Sequence, residues 1–439
     1  MAIDGFDLVL RQQIEECTGL PQTRFDVEIS IGSYVINPMA VVAFTQRQAY
    51  MENMFEECML SVAMQPSEYS EGVLVGHEDI TVKLIERPYD GGKPHVKMYR
   101  GILVGVKDEQ MEANRADITE TGLQDAMSIS IITFQLISEA AYDLRLREVA
   151  GGQTIFANAA SHDVLRYFLV KTRLYDRYSN KESVASINID ELKSDRVFRE
   201  IKLPEGTPYL AIPDYLQDNY GIFPQGMGCF LKNQSWYVFA PYGLSKSAMD
   251  VRRLVLFNAP SARNRSLERN FKVDGKTITV IATGMSRHNK TSDSDALNGG
   301  TGVRYASLSS IDGAVSTADP SEDPLRTPQD YMTEYRSSNY ASPYNKTTTA
   351  KERFTDNPLK AASELAARGG EVMTVTWENG ILDPLIPGMP VKFYYGKAGK
   401  VEMREGTLIS AERFSTIPLS GIIEPRHQSM VQLTIWLKR

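Results

Sequence analysis

Apolar and polar residues alternate over many short stretches of the chain, and this period of two predicts half-buried β-strands. The clearest stretch is 25–31, which a Gly32-Ser33 turn connects to a second strand over 34–36, so a hairpin is predicted. Further strands are predicted over 41–48, 58–64, 80–84 and 101–106. We therefore expect an antiparallel unit over 25–125, built as a barrel or closed sandwich.

A second β-unit is predicted from one long alternating run and four strands near the C-terminus. The run 134–147 is long for a strand, so we expect it to bend or to carry a bulge midway. The later strands are predicted over 372–377, 391–395, 406–412 and 431–437. These strands need a sheet to join, and the run that begins at Phe134 is their expected mate. The second barrel is therefore assigned to 126–150 and 370–439.

The apolar period changes to that of a helix in the middle of the chain. Ser161 can cap a helix with Asp163 in its first turn, and a second short helix is predicted over 213–220. The apolar stripe of the first helix consists of Val164, Leu165, Phe168 and Leu169. Strands follow over 228–231 and 236–239, and a hairpin over 271–281 has Asp-Gly at its tip. Residues 151–284 are thus expected to form a small α+β insertion.

Residues 285–369 have no sustained period and are rich in Ser, Thr, Asn, Asp, Gly and Pro. A loop of this length is unusual in a compact domain, and tyrosine supplies rigid contact area with a polar tip. The tyrosines in question are Tyr305, Tyr331, Tyr335, Tyr340 and Tyr344. We expect an irregular extension that contacts a partner, and we expect deletion of 290–365 to leave the barrels folded. Residues 1–24 are assigned to an N-terminal arm.

Composition narrows the function classes. The chain has 439 residues, with 48 basic and 55 acidic side chains and a net charge of −7, which does not favour binding a phosphate backbone over the whole surface. No apolar run approaches the roughly 18–20 residues of a membrane-spanning helix, and the start lacks the pattern of a signal peptide. Cys17, Cys58 and Cys229 are far apart and odd in number, so we expect buried or idle thiols.

Candidate catalytic and metal-binding patterns are weak. The five histidines form no close pair in the sequence that is typical of a metal site. His77 and its two acidic neighbours are predicted to lie in an exposed turn, and His162 is predicted to be a surface or cap residue. Gly275-Lys276-Thr277 resembles the end of a phosphate-binding loop, but Asn270 stands where its first Gly should be.

The adjacent pairs Glu15-Glu16 and Glu56-Glu57 cannot share a face of a helix or strand, and solvated surface is their expected place. No catalytic, cofactor-binding or metal-binding residue is predicted, and no cofactor. This profile favours a structural or assembly protein over an enzyme.

Four stretches, taken in order, resemble the hub proteins of bacteriophage tail baseplates, a family related to the hub domains of the type VI secretion spike. The first stretch is the hairpin 25–36 with the later strand 99–104, and the second is the run from Phe134 with the helix 161–174. The third consists of 208–216, 221–224 and 236–241, and the fourth of Pro387-Gly388 before the strand at Val391, with the Gly-led strand 406–409. The extension 285–369 departs from what the family leads us to expect.

The resemblance implies a mainly β fold with two hub-type barrels and a trimer whose six barrels form a ring. Such a ring connects the tail tube to the central spike and lines the channel through which genomic DNA passes without specific binding. Its implied partners are the tail tube protein, the central spike protein and other baseplate proteins. The implied location is the virion, after assembly in the host cytoplasm and without membrane insertion. Two alternatives stay open: another tail tube or distal tail component, and a cell-wall or glycan hydrolase on a β-rich tail scaffold.

Overall fold

The structure is a computed structural model, and it describes the greater part of the chain. The described residues are 5–73, 79–103, 130–149, 154–171, 175–176, 181–182, 186–190, 197–233, 235–243, 252–259, 269–288, 304–306, 347–349, 366–367, 370–397, 400–417 and 427–438. No helix in this described part is both long and apolar enough to cross a membrane.

The chain begins with a helix and a seven-stranded antiparallel sheet. These elements are α1 (Gly5–Glu16), β1 (Thr23–Ile31), β2 (Tyr34–Ile36), β3 (Ala40–Ala49), β4 (Glu57–Met64), β5 (Ile80–Pro88), β6 (His95–Leu103) and β7 (Ser130–Ile137), with a π-helical turn over Glu68–Val73. The strand order is β2-β1-β5-β6-β7-β4-β3, and we call this sheet the first β-unit. The hairpin expected at 25–36 is confirmed, because β1 and β2 pair across Gly32, whose φ of 57° suits glycine.

One apolar core fills the first β-unit. Inward side chains of all six long strands belong to it, among them Phe25, Phe44, Leu60, Val82 and Phe134. The rings of Phe25 on β1 and Phe44 on β3 lie 5.2 Å apart, so the sheet rolls until its two ends face each other. No ladder joins β1 to β3 among the described residues, and closure of this unit as a barrel stays a prediction.

The run 134–147 is not one strand. Strand β7 ends at Ile137, and the Ser138 hydroxyl then accepts a hydrogen bond from the Ala141 amide, which caps α2 (Glu139–Arg145). The helix buries Ala141 and Leu144, three residues apart, so the same segment also satisfies a helical period. Strand β7 pairs with β4 and β6, and the expected pairing of Phe134 with the C-terminal strands is therefore wrong.

The next part of the chain, which we call the helical region, carries the remaining two long helices. Its elements are β8 (Thr154–Ala160), α3 (Ser161–Lys171), β9 (Tyr175–Asp176), β10 (Lys181–Glu182), β11 (Ser186–Ile189), β12 (Val197–Leu203), α4 (Ile212–Asn219), β13 (Gly228–Lys232) and β14 (Ser235–Phe239), with a 3₁₀ turn over Tyr209–Ala211. The two helices and the strands β13 and β14 are confirmed as predicted, and the apolar stripe of α3 is buried. The core of this region, centred on Trp236, also takes in Phe55 and Leu144, so the region packs on the first β-unit.

The last strands close a barrel. The elements are β15 (Arg253–Ala259), β16 (Phe271–Asp274), β17 (Thr277–His288), β18 (Arg304–Ala306), β19 (Thr347–Thr349), β20 (Gly370–Glu378), β21 (Pro390–Lys397), β22 (Lys400–Thr416) and β23 (Gln428–Lys438). The order β22-β21-β15-β17-β20-β23 returns to β22, giving six strands around a core that contains Trp377. The predicted C-terminal strands and the hairpin over 271–281 are confirmed. The remaining barrel strands are β15 and β17, which lie within the stretch expected to form the insertion.

Strand β22 joins the barrel to the first β-unit. Its first half pairs with β21, and its second half pairs with β3 from Ser410 to Thr416, so one continuous sheet runs through both units. Helix α1 covers the outer face of the barrel by burying Phe6 and Leu10 in one cluster with Phe257 and Ile281. Of the extension 285–369, β18 and β19 pair with each other, whereas Tyr331, Tyr335, Tyr340 and Tyr344 lie outside the described residues.

Candidate functional site

The interior of the first β-unit changes from apolar to polar at the end that faces the helical region. On β3, the buried Phe44 is followed on the same inward face by the buried Gln46 and Gln48. Glu56 precedes β4 at this end, Lys97 and Tyr99 lie on β6, and Lys232 enters from β13. We call the set of Gln46, Gln48, Glu56, Lys97, Tyr99 and Lys232 the polar junction.

Glu56 accepts hydrogen bonds from several donors in the polar junction. Gln48 Nε2 donates to it over 2.5 Å, Gln46 Nε2 over 3.1 Å and the Tyr99 hydroxyl over 3.1 Å. The Cys58 thiol lies 3.3 Å away. Glu56 is thus an enclosed acceptor, and its expected place on the solvated surface is wrong. The sequence rule that Glu56 and Glu57 face opposite sides holds, but it cannot tell which of them faces inward.

Lys232 connects three parts of the molecule. Its Nζ donates to Gln48 Oε1 on β3 over 2.9 Å and to the Leu382 carbonyl, between two barrel strands, over 2.6 Å. The side chain starts on β13 of the helical region, and the residue is only 7% exposed. Next to it, the Leu231 amide donates to the Met54 carbonyl over 2.8 Å, which also ties the helical region to the first β-unit.

The charged groups of the polar junction shift one another's pKa values, and burial acts against their charged forms. Burial alone would raise the pKa of Glu56, but the charge of Lys97 and the hydrogen bonds from Gln48 and Cys58 outweigh it and hold this pKa below its ordinary value. Burial lowers the pKa of Lys232 to about 7, although Glu56 and Asp383 pull it upward. The pKa of Lys97 is raised, because Glu56 and Asp383 together outweigh its burial.

A second buried polar cluster lies along the seam between the two β-units. Arg413 Nη2, on β22, donates to Glu86 Oε1 over 2.7 Å and to the hydroxyls of Ser429 and Thr23. His427 Nε2 lies 3.0 Å from the Val41 carbonyl, and since a carbonyl only accepts, the ring donates there. Burial, together with the nearby Arg413, lowers the pKa of His427, so this ring is a neutral structural bridge.

The outer surface at the same seam lacks charge. Cross-strand neighbours on β23, β22, β3, β4 and β7 form rows of outward-facing apolar, hydroxyl and amide side chains. We call this surface the uncharged face, and it consists of Met430, Phe414, Thr45, Met59, Gln135, Gln428, Thr416, Ala43, Ser61, Thr133 and Ile131. A charged row that contains the Arg47–Glu57 ion pair borders it. Loss of charge with enrichment of Met is typical of the centre of a protein–protein interface.

A cleft of about 230 Å³ opens between the first β-unit and the helical region. Its walls include Met54, Ile137 and Pro213, with Asp214 and Cys229 also in its lining. Burial and the neighbouring Asp218 raise the pKa of Asp214. Burial also raises the pKa of the Cys229 thiol far above its ordinary value, so this thiol stays protonated and is a poor nucleophile.

The candidate chemical residues of the sequence are dispersed in the structure. All three cysteines are free and buried, as expected. Gly275 and Lys276 form the turn of the β16–β17 hairpin, which is not a strand-to-helix phosphate loop. His77 lies outside the described residues, and within the described ranges no three His, Cys, Asp or Glu side chains converge on a metal position. Neither the polar junction nor the Arg413 cluster was predicted from the sequence.

No protein-family model matches the chain, and no curated protein matches it in sequence. Solved structures resemble it in fold. The crystal structure of the 43 kDa tail protein of prophage MuSo2 from Shewanella oneidensis is 9% identical over 93% of this chain and 97% of that one, with a TM-score of 0.44. Two structures of the phage P2 baseplate in its activated conformation, one a topological model and one with Ca, are each 8% identical over 93% of this chain and 98% of theirs, with a TM-score of 0.31.

All three are phage tail or baseplate proteins. This is the class of protein that the four sequence stretches resemble. The relation to the type VI secretion spike stays a prediction.

Proposed function

We propose that the chain is a structural protein of a phage tail tip or baseplate, and that it acts there as the hub. In this role three copies form a ring that connects the tail tube to the central spike and surrounds the channel for DNA. The order of the four sequence stretches supports the proposal. The proposal includes a location in the virion, which the protein reaches after assembly in the host cytoplasm.

The observation that carries the proposal is the continuous sheet through β22. The first β-unit has six long strands in the order β1-β5-β6-β7-β4-β3, and the closed barrel also has six. Because β22 belongs to the ladders of both, the two units are held side by side. Three copies would place six such units around an axis, which suits a contact with a sixfold tube. Cyclic closure also leaves no growing end for further addition.

The uncharged face is the proposed contact with the neighbouring copy. It crosses the seam between the units, so a neighbour bound there holds both of them. Its exposed members include Ile131 at 56% and Met59 at 37%. No charge on this face would have to be desolvated when the copies associate.

The described residues offer little to a hydrolase. The one acid of the polar junction, Glu56, is occupied by hydrogen bonds, and the Cys229 thiol in the cleft stays protonated. A channel that passes DNA must not bind the phosphate backbone tightly. The net charge of −7 disfavours such binding. We therefore propose a role without catalysis, whose partners are the tube, the spike and other baseplate proteins.

The oligomeric state tests the ring. Size-exclusion chromatography with light scattering should give three times the 49.1 kDa of one chain, and images of the same fraction should show a ring. A monomer at every concentration, with no ring in the images, would exclude the hub. Release of fragments from purified peptidoglycan or glycan would instead support the hydrolase alternative.

A further inference from the structure

Lys232 occupies an unusual position for a lysine. It is almost fully buried, and it contacts the first β-unit and the loop before barrel strand β21 while its backbone belongs to the helical region. Both of its hydrogen-bond acceptors, Gln48 Oε1 and the Leu382 carbonyl, are uncharged. A neutral amine has two N–H donors and matches these two acceptors, whereas an ammonium brings a third donor and a charge that has to be desolvated.

We propose that Lys232 and the polar junction form a pH-responsive clamp, which holds the helical region against the two β-units in neutral to alkaline solution and loosens when Lys232 takes up a proton. The clamp does not depend on the proposed ring, since every group in it belongs to one chain.

The direction of the pH dependence follows from how many protons the closed and the open clamp bind. When the helical region separates, Lys232 enters water and its pKa returns toward 10.5, whereas burial in the closed clamp lowers it to about 7. Between these values the open state binds more protons, so raising the pH favours the closed state. Below about pH 7 Lys232 is charged in both states and the clamp is at its weakest. The opening constant should therefore fall by nearly tenfold per pH unit above about pH 7.

The other titrating groups around Lys232 define the useful pH range. The opposite charges of Glu56 and Lys97 help to lower the pKa of the acid and to raise that of the lysine, so both stay charged near neutral pH. Burial raises the pKa values of Tyr50, Cys58 and Tyr99, so these groups stay protonated. Asp383 faces the junction from the loop before β21 and pairs with Lys97 at 3.8 Å. Among the groups of this set with shifted pKa values, Lys232 is the one whose charge changes between pH 6 and 8.5.

Amide hydrogen exchange of the full chain tests the clamp. The Leu231 amide is the reporter, because its bond to the Met54 carbonyl crosses from the helical region to the first β-unit. After correction for the intrinsic pH dependence of exchange, protection of the peptide that contains Leu231 should rise on the order of tenfold per pH unit from pH 7 to 8.5. Peptides from β20 and β23, in the core of the barrel, should show no such rise.

Two variants and a control decide the result. Lys232→Met keeps the length of the side chain and should abolish the slope, whereas Lys202→Met, on the exposed side of β12, should keep it. Asp383→Asn removes an acid that raises the pKa of Lys232, so the rise should begin at a lower pH even if Lys232→Met fails to fold. Equal slopes for the wild type and Lys232→Met, or an unchanged onset in Asp383→Asn, would overturn the clamp.

Discussion

Gly388 shows how one backbone position lets two parts of the chain pack closely. Its φ is 72°, a backbone conformation that residues with a side chain rarely adopt. An added Cβ would also overlap the ring of Phe239. Phe239 lies on β14 of the helical region and is buried. The Pro-Gly pair that contributes to the sequence resemblance thus has a physical role, since it allows the barrel to contact this ring.

Replacement of Gly388 by alanine should destabilise the protein by about 3 kcal/mol, as the sum of backbone strain and overpacking. Gly206→Ala is the matched control, because Gly206 has a φ of 75° but no atom close to the added methyl group. It should cost about 1 kcal/mol from the backbone alone. Urea unfolding of both variants measures the difference. Equal losses would mean that the Phe239 ring moves aside without cost.

Single residues differ in whether the sequence alone predicts their contacts. The stripe of α3 could be predicted because its residues are close in sequence and only their spacing matters. The polar junction could not, because Lys232 and Gln48 are separated by 184 residues and meet only through the packing of three parts of the chain. Arg413 was missed for the same reason, since its partner Glu86 is 327 residues away.

At the scale of elements, period alone failed where two periods fit one segment. In 134–147 the apolar residues fit a strand, yet Ser138 caps a helix that buries Ala141 and Leu144. Ser138 is of a residue type that favours the start of a helix, but the alternation over 134–147 spans the same positions and favours a strand. Hairpins were predicted reliably, because their turn residues, such as Gly32 and Gly275, lie between the strands they join.

The two strands that flank the extension 285–369, β17 and β20, are paired neighbours in the barrel. Strand β17 ends at His288, which pairs with Val372 on β20, so the chain leaves and re-enters the barrel at neighbouring positions. A short Gly/Ser linker in place of 290–365 can therefore span the gap. The variant should keep the circular dichroism spectrum and melting temperature of the wild type, but should bind partner baseplate proteins more weakly. Loss of the cooperative melt would place the extension in a core.

For the whole molecule, strand content could be predicted but the connections could not. The barrel takes β15 and β17 from one part of the chain and β20 to β23 from another, and β15 pairs in parallel with both β17 and β21. Periodicity contains no information on which strands are neighbours. The joining of the two β-units through β22 likewise depends on that strand's 17-residue length, of which 406–412 alone was predicted.

The proposed ring makes one further prediction about a whole-molecule surface. Ile131 is 56% exposed on the uncharged face, and Val96 is 52% exposed on β6, on the outside of the same β-unit. Ile131→Glu would bury an unpaired carboxylate between copies, so it should convert the trimer to monomers. Val96→Glu adds the same charge outside the proposed contact and should leave the trimer intact. Neither change touches a core side chain, so both variants should melt cooperatively, and light scattering then reports association alone. A trimer that persists in Ile131→Glu would require a different contact surface for the ring.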